Sequence, residues 1–453
     1  MSRILSTTRA KHASPSSASQ KGAASWVCIF RRTCACGLLA LSLCARAGEP
    51  TAPTASQAAE TPLSIQEAIQ LALTDQPILL NRQALIAAEE QQAVSSAQLP
   101  DPKLSVGLKD LPFDRGEAFS VREDNFTMFT VGISQDFPRA EKRRLKGERK
   151  RLDAQMDRYG LLNDRKVIER DTALSWLDVY EAEQALSLTH QLAAEDGLQV
   201  QSMDSGYRSG RNSQADLLAA KVEADLADDK EQDWRHHVER MRAALSRWVG
   251  NSAERPLAQD LSPVSEPAQL ARIVTAIEQH PVVSGMQSQI DASKNDIAQA
   301  KEAYKPDFSV EAYVGHRPAY ADLAGVQFSF DLPFFTGKRQ DPELHAAQLR
   351  SQAAQDRKED LLRDLRAQAA EDDVDWHHAN ERAATFDREI IPEAQRRVSA
   401  ARSAYAAAKG SFDAVLLARR TVLEIQIQRL ALFVEAARAQ ARLQYFASTG
   451  EMP

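Results

Sequence analysis

The chain has 453 residues, 43% of them hydrophobic and 26% charged, with a formal net charge of −7. That length allows two or three ordinary domains or one large architecture, and the composition excludes wholesale disorder. With 18 glycines the chain is glycine-poor for a mostly-β protein, while abundant alanine, glutamine, arginine and glutamate favour long helices.

Residues 1–47 carry seven basic residues and no acidic one. Arg31 and Arg32 precede a short apolar run, Gly37 to Cys44, and Ala45-Arg46-Ala47 follows as an A-x-A cleavage site. This predicts a secretory signal peptide, because the apolar run is far short of the ~20 residues a membrane span needs. All four cysteines (Cys28, Cys34, Cys36 and Cys44) lie in it, so the exported chain has no disulfide and no thiolate metal site. Cys44 follows Leu43, where a lipid-attachment signal wants a small residue. Beyond the leader 49 basic residues face 63 acidic ones, a balance that speaks against a nucleic-acid partner.

Residues 48–62, rich in Ala, Thr, Pro and Ser, read as a flexible lead-in. A first repeat then covers 63–250. Ser64-Ile65-Gln66-Glu67 is a capping box opening a helix with Ile65, Ala68, Ile69 and Ala72 on one side. Pro77 interrupts it, and a second helical run continues to Gln98 until Pro100 and Pro102 stop it. A strand over 103–110 follows, with Leu104, Val106 and Leu108 on one face. After a polar loop comes a strand over 126–137, with Phe129, Val131, Ile133 and Phe137 on one face and Thr130, Gly132, Ser134 and Asp136 on the other. Pro138 ends the ladder, having no N–H to donate, and a charged helical run begins at Glu141. No proline occurs from Glu141 to Asp204, which predicts a helix of ~95 Å. Tyr207 to Ser213 is a tight turn, a second helix runs to Val249, and 251–266 is a linker.

The pattern then repeats over 267–450. Pro281 answers Pro77 and Pro306 answers Pro102, both at an offset of 204. Strands are expected over 307–315 (Phe308, Val310, Ala312 and Val314 on one face) and 324–332 (Val326, Phe328, Phe330 and Leu332 against Gln327, Ser329 and Asp331). Pro333 lies 195 after Pro138, so the second hairpin loop is nine residues shorter. A long helix from Arg339 to Ala408 must be bent or capped at Pro342 and Pro392. Lys409 to Asp413 answers the earlier turn, with Gly410 200 residues after Gly210. The last helix carries Leu416, Leu423, Leu430 and Ala437 seven apart, with Ile427, Val434 and Ala441 between them, a coiled-coil seam. The fold class is therefore mainly α with a small β part: long antiparallel coiled-coil helices in two tandem repeats, plus four β-strands.

The four strands are about ten residues long and one-sided, as membrane-crossing strands are. Two soluble hairpins would make too small a core to hold helices of this length. Four strands cannot close a barrel, and open edges in lipid leave backbone groups unsatisfied. Three copies supply twelve strands, enough for a lumen, with the helices beneath as a second tube. Phe129, Val131, Ile133, Phe328 and Phe330 are then expected to face lipid.

The double repeat, the strand–proline–helix junctions and the paired turns resemble the TolC-like family of outer-membrane efflux channels over essentially all of 63–450. The resemblance implies a homotrimer with a 12-stranded barrel in outer-membrane lipid and a periplasmic helical tunnel. It also implies a passive duct without enzymatic activity or cofactor, docked through its helical tips to a periplasmic adaptor and thence to an inner-membrane RND-type pump. The tips correspond to Tyr207–Asp216 and Tyr405–Leu417. Candidate docking residues are Arg208, Gly210, Asn212, Ser213, Gly410, Ser411, Phe412 and Asp413. Here glycine is expected to supply positive φ, Ser213 and Asp413 to cap the following helices, and Ser411 with Phe412 to present a polar and an aromatic contact. Asn125-Phe126-Thr127-Met128, Val131 to Gln135, Pro138 and Lys142-Arg143 resemble the heavy-metal branch, of cobalt–zinc–cadmium and copper–silver type. Ala140-Glu141 departs from it where a glycine is expected. The alternatives are a channel for drugs or organic compounds, or a periplasmic coiled-coil adaptor, although an adaptor has one long hairpin flanked by small β-domains.

Other residues invite weaker readings. His236-His237 and His377-His378 are adjacent on helices and point about 100° apart, which suits packing better than chelation. Asp372, Asp373 and Asp375 read equally as tunnel lining or as a solvated face. Trp176, Trp234 and Trp248 read as packing residues. The chain shows no nucleophile–base pair, phosphate loop or metal-protease motif.

Overall fold

A computed structural model describes residues 61–447, apart from 75, 115, 117 and 260–268. The expected signal peptide, the lead-in up to 60, the linker from 260 onward and residues 448–450 lie outside the described residues.

The first half runs α1 (Ile65–Thr74), α2 (Pro77–Ser96), β1 (Lys103–Lys109), β2 (Met128–Phe137), α3 (Ala140–Arg208) and α4 (Gln214–Val249). The second runs α5 (Leu270–Ile277), α6 (Pro281–Glu302), β3 (Phe308–His316), β4 (Leu323–Phe330), α7 (Gln340–Thr385), α8 (Ile391–Ala406) and α9 (Phe412–Phe446). Element for element, the halves repeat. Proline stands at the first position of both α2 and α6, where a missing N–H costs nothing.

Helix α3 is unbroken over 69 residues, about 100 Å of helix. Its counterpart is not. A π-turn, Phe386–Ile390, separates α7 from α8 and ends just before Pro392. A proline ring crowds the carbonyl four residues earlier, here that of Arg388, and the widened turn makes room for it. Arg429 on α9 holds the π-turn with two hydrogen bonds to Asp387, at 2.9 and 2.8 Å. Pro342 lies in the first turn of α7 and bends nothing.

The two strand–helix junctions also differ. Only Pro138 and Arg139 separate β2 from α3. After Pro333 the chain instead makes a 3₁₀ turn, Thr336–Lys338, before α7 begins at Gln340. A side chain of the other repeat completes the first junction. Asp307 accepts from the backbone N–H of Arg139 (3.0 Å) and from Lys142 Nζ (2.8 Å). Arg143 donates to the carbonyls of Pro138 and Ala97.

The strands form one antiparallel sheet in the order β1-β2-β3-β4. The hairpins meet through β2 and β3, in register from Phe129↔His316 to Phe137↔Phe308. Below the sheet, α4 packs on α3, α3 on α9, and α9 on α7 and α8, while α6 wedges between α3 and α7. Three apolar clusters hold the helices. The first surrounds Trp176, which stacks on Tyr180 at 5.5 Å and donates its indole N–H to Leu63 O; Trp234 and Trp248 pack against its edge. The second joins α5 and α6 to α7 and the end of α9 through Ile273, Ile277, Val283, Leu365, Leu443 and Phe446. The third lies at the helical tips. The heptad positions Leu416, Leu423, Leu430 and Val434 of α9 are buried.

Candidate membrane-facing sheet and helical tips

The register assembles an apolar face. Leu104, Ile133, Ala312 and Val326 stand side by side across the sheet, and so do Val106, Val131, Val314 and Ala324. Phe129, Val131, Ile133, Phe328 and Phe330 are all exposed, Phe328 at 62%. Leaving this much contiguous apolar surface open has no rationale in water. Aromatic rings bound the face at both ends. Towards the helices Phe137 stacks on Phe308 at 5.1 Å, Phe308 meets Phe330 at 6.3 Å, and Phe334 and Phe335 stand exposed just beyond. At the far end Phe113, Phe119 and Phe126 are exposed in the loop between β1 and β2. From Phe129 to Phe137 the strand climbs about 26 Å, the height of a lipid-facing barrel band.

The opposite face is polar. Lys103 pairs with Asp136 at 2.7 Å, Ser105 donates to Glu311, and Lys109 sits 4.5 Å above the Tyr313 ring. Thr130 is only 5% exposed, since its hydroxyl donates to Gly107 O. Among the described residues β1 and β4 each have one strand neighbour, so both sheet edges are open. No described helix is long and apolar enough to cross a membrane.

At the other end of the long helices the two turns share one geometry. Arg208 ends α3, Ser209 follows, and Gly210 takes φ +72°; the N–H of Arg211 then reaches back to Gly206 O at 2.8 Å. In the second turn Ala408 takes φ +55° and the N–H of Lys409 reaches Ala404 O at 2.9 Å. Both are the helix ending in which a left-handed residue lets the next N–H close on the last turn. The equivalent of Gly210 is therefore Ala408, not Gly410, which does not adopt positive φ. The N-caps correct the expectation in the same sense. Ser213 caps α4 with a full capping box to Asp216. Ser411, not Asp413, caps α9, accepting from Ala414 N at 3.3 Å.

Phe412 is also not an exposed contact. It is 1% exposed and packs with Met203, Leu217, Ala220, Val415 and Leu416, with the Tyr405 ring at 5.4 Å. The two turns are thereby fused into one body. Asn212 folds inward as well, its Nδ2 3.2 Å from Met203 Sδ, in a space that a Cβ on Gly206 would fill. What remains on the surface is Arg208, paired with Asp204 at 2.8 Å, together with Gly210, Ser213, Gly410, Ser411 and Asp413. The sequence held a hint of Phe412's burial, since it lies one turn before Leu416 of the seam, but its contacts on α3 and α4 lie about two hundred residues away.

Above the tips, Arg419 of α9 is buried against Asp196 of α3 at 3.2 Å. Burial pushes the Asp196 carboxyl up, and Arg419 opposes that. Asp372 takes the guanidinium of Arg442, so it is tied to α9 and not free in solvent. His237 and His377 lie edge-on to Trp234 and Trp376. Among the described residues no three His, Cys, Asp or Glu side chains come together to hold a metal. His280, absent from the expected sites, is fully buried. It accepts from Val282 N–H through Nδ1 and donates to Tyr445 O through Nε2.

No family model matches the chain, and no curated protein does. Solved structures do. One is CusC, described for folding and transmembrane channel formation: TM-score 0.72, 16% identity, covering 84% of this chain and 91% of that one. Another is the CmeC outer membrane channel of Campylobacter jejuni: TM-score 0.71, 12% identity, 84% and 85% covered. A third is the open state of the MtrE outer membrane channel of Neisseria gonorrhoeae: TM-score 0.65, 16% identity, 84% and 88% covered. The chain has the fold of these outer-membrane channels. The likeness runs through helices and sheet together.

Proposed function

We propose that this chain is an outer-membrane channel of a tripartite efflux system, of the TolC-like family. Three copies would close a 12-stranded barrel in lipid above a periplasmic helical tunnel. The tunnel would conduct passively what a periplasmic adaptor and an inner-membrane RND-type pump deliver. The carrying observation is the four-stranded sheet whose oily face and both edges are uncovered, joined directly to helices of about 100 Å. The same geometry disfavours a periplasmic adaptor, which has no use for an exposed apolar sheet. The tips are the adaptor-docking end, because each turn lies at the point of its hairpin farthest from the strands.

We take heavy-metal cations as the cargo, on the Asn125–Met128, Val131–Gln135 and Lys142-Arg143 pattern. Part of that pattern already has a structural role, since Lys142 and Arg143 hold the strand–helix junction. Drugs or organic compounds are the other cargo. Deleting the chain and scoring growth against zinc, cobalt, cadmium, copper and silver salts beside a panel of organic toxins separates the two. Sensitivity to organic compounds alone would overturn the metal assignment. Docking is tested with Gly410→Val, whose new Cβ would lie 3.2 Å from that of Ala404. A fully assembled trimer that no longer exports supports docking at the tip, and unchanged export refutes it.

A further inference from the structure

Both strand–helix junctions are basic, and they use their charge differently. At the first, Arg139 lies 3.7 Å from Glu302, Lys142 pairs with Asp307 and Arg144 with Glu141, both at 2.8 Å, and Arg143 donates to the carbonyls of Pro138 and Ala97. At the second, Lys338 and Arg339 are exposed. Among the described residues neither has an ion pair or a side-chain hydrogen bond. The nearest acids along the chain do not serve them. Asp341 accepts from the Tyr304 hydroxyl at 2.6 Å, and Asp331 falls on the polar side of the alternation.

The same short segment carries Phe334 and Phe335, which are 77% and 81% exposed. Its 3₁₀ turn, Thr336–Lys338, with Arg339 N–H closing on Thr336 O at 3.1 Å, keeps the two rings and the two cations in one compact loop. The loop starts where the oily face ends, since Leu332 continues the row of Val326, Phe328 and Phe330 and Pro333 follows it. The headgroup layer of a bilayer is about 5–7 Å deep on each side of the hydrocarbon, a depth that two or three extended residues cover. Rings at the start of that layer reach acyl chains, and cations just beyond them reach phosphates.

We propose that Phe334–Arg339 binds an anionic glycerophospholipid of the helix-side leaflet, the rings entering among its acyl chains and Lys338 and Arg339 taking its phosphate. A guanidinium offers a phosphate two parallel N–H donors, and the neighbouring ammonium adds a second charge. This rests on the outer-membrane channel reading and adds to it a lipid class and a number. Each chain has one such site, because the cations of the first junction are already held by protein.

The test uses the full chain reconstituted in phosphatidylcholine vesicles with and without phosphatidylglycerol, one lipid or the other carrying brominated acyl chains. Phe335→Trp places a fluorescent reporter in the loop; the four described tryptophans lie on helices, away from the sheet. Brominated phosphatidylglycerol should quench the reporter several-fold more, at equal fraction, than brominated phosphatidylcholine. Added salt should shrink the difference. Lys338→Gln with Arg339→Gln should abolish it while quenching by phosphatidylcholine remains. Equal quenching by the two lipids, or a preference that the double variant keeps, overturns the site. So does a Phe335→Trp that neither lipid quenches while Phe328→Trp on the sheet is quenched, since a neighbouring copy then covers the loop. A Phe328→Trp that neither lipid quenches removes the channel reading itself.

Discussion

Gly210 and Ala408 do the same work 198 residues apart: each turns left-handed at the end of a long helix so that the following N–H can close on the carbonyl five residues before it. Glycine does this freely, whereas an alanine there is strained by roughly 1 kcal/mol. Ala408→Gly is therefore expected to slow hydrogen exchange in the last turn of α8 by several-fold. Gly210→Ala should speed it in the last turn of α3. Exchange read by mass spectrometry on the assembled protein checks both, and faster exchange in Ala408→Gly or slower exchange in Gly210→Ala would contradict the equivalence.

Phe412→Ala removes the ring that binds the two turns together. A buried phenylalanine truncated to alanine costs about 3–5 kcal/mol. Limited proteolysis should cut near residues 205–213 and 405–412 in the variant and leave the sheet intact. Asp413→Ala, at an exposed neighbouring position, should change the digestion little.

The Arg419–Asp196 pair makes a contrast between single and double substitution. Arg419→Met strands a buried carboxylate and should cost about 3–5 kcal/mol, whereas Arg419→Met with Asp196→Ala should recover most of the loss. Chemical denaturation of the detergent-solubilised protein, read by far-UV circular dichroism, tests this. Equal losses in the single and double variants would mean that the pair is not acting as a unit.

Acid should loosen the seam where α6, α9 and α3 meet. Burial lowers the His280 pKa from 6.5 to about 4, and the nearby Lys166 ammonium pushes the same way against the Tyr445 carbonyl. The unfolded chain binds a proton at pH 6.5 and below, but the folded chain resists until about pH 4. Stability is thus complete above pH 6.5 and falls between 6.5 and 4, by up to about 3 kcal/mol. Thermal unfolding of the wild type should show that slope, and His280→Asn, which does not titrate, should lack it.

On the sheet, Val131→Arg or Phe328→Arg at mid-depth should cost about 2–4 kcal/mol of folding into a bilayer. Ser329→Arg on the other face of β4 is the proper comparison and should cost much less. Thr130, which the alternation alone would offer as an equal control, is covered and bonded to Gly107 O, so an arginine there meets a packing cost unrelated to lipid.

Most of the element order was legible because its signals are local. Period-two alternation marked β2 and β4, prolines marked the starts of α2 and α6, and a proline-free charged run marked α3. The errors came where distant residues decide. Matching Gly210 to Gly410 by residue type misaligned the turns by two positions, because an alanine takes the strained conformation in the second one. Phe412 reads as a tip aromatic until α3 and α4 close over it. Asp307 capping the first repeat's long helix, and His280 buried under Tyr445, are contacts between elements that no spacing along the chain announces. Of the candidate tip residues, Arg208, Gly210, Ser213, Gly410, Ser411 and Asp413 lie at the surface, and Asn212 and Phe412 fold beneath them.

β1 and β4 carry free backbone donors and acceptors along their outer sides, beside a face of bare phenylalanine and valine. To a lone copy in water those sides are a template for mispaired growth. The helical pairs form from near neighbours and close early, while β2 must wait for β3 from the other half of the sequence. If the chain assembles as proposed, the dangerous interval in the molecule's life is a waiting time, and its length depends on how soon other copies cover β1 and β4. On that reading, yield of the native form should rise with the local density of new chains and fall with any delay between them, so that timing, and not only sequence, decides how much native protein forms.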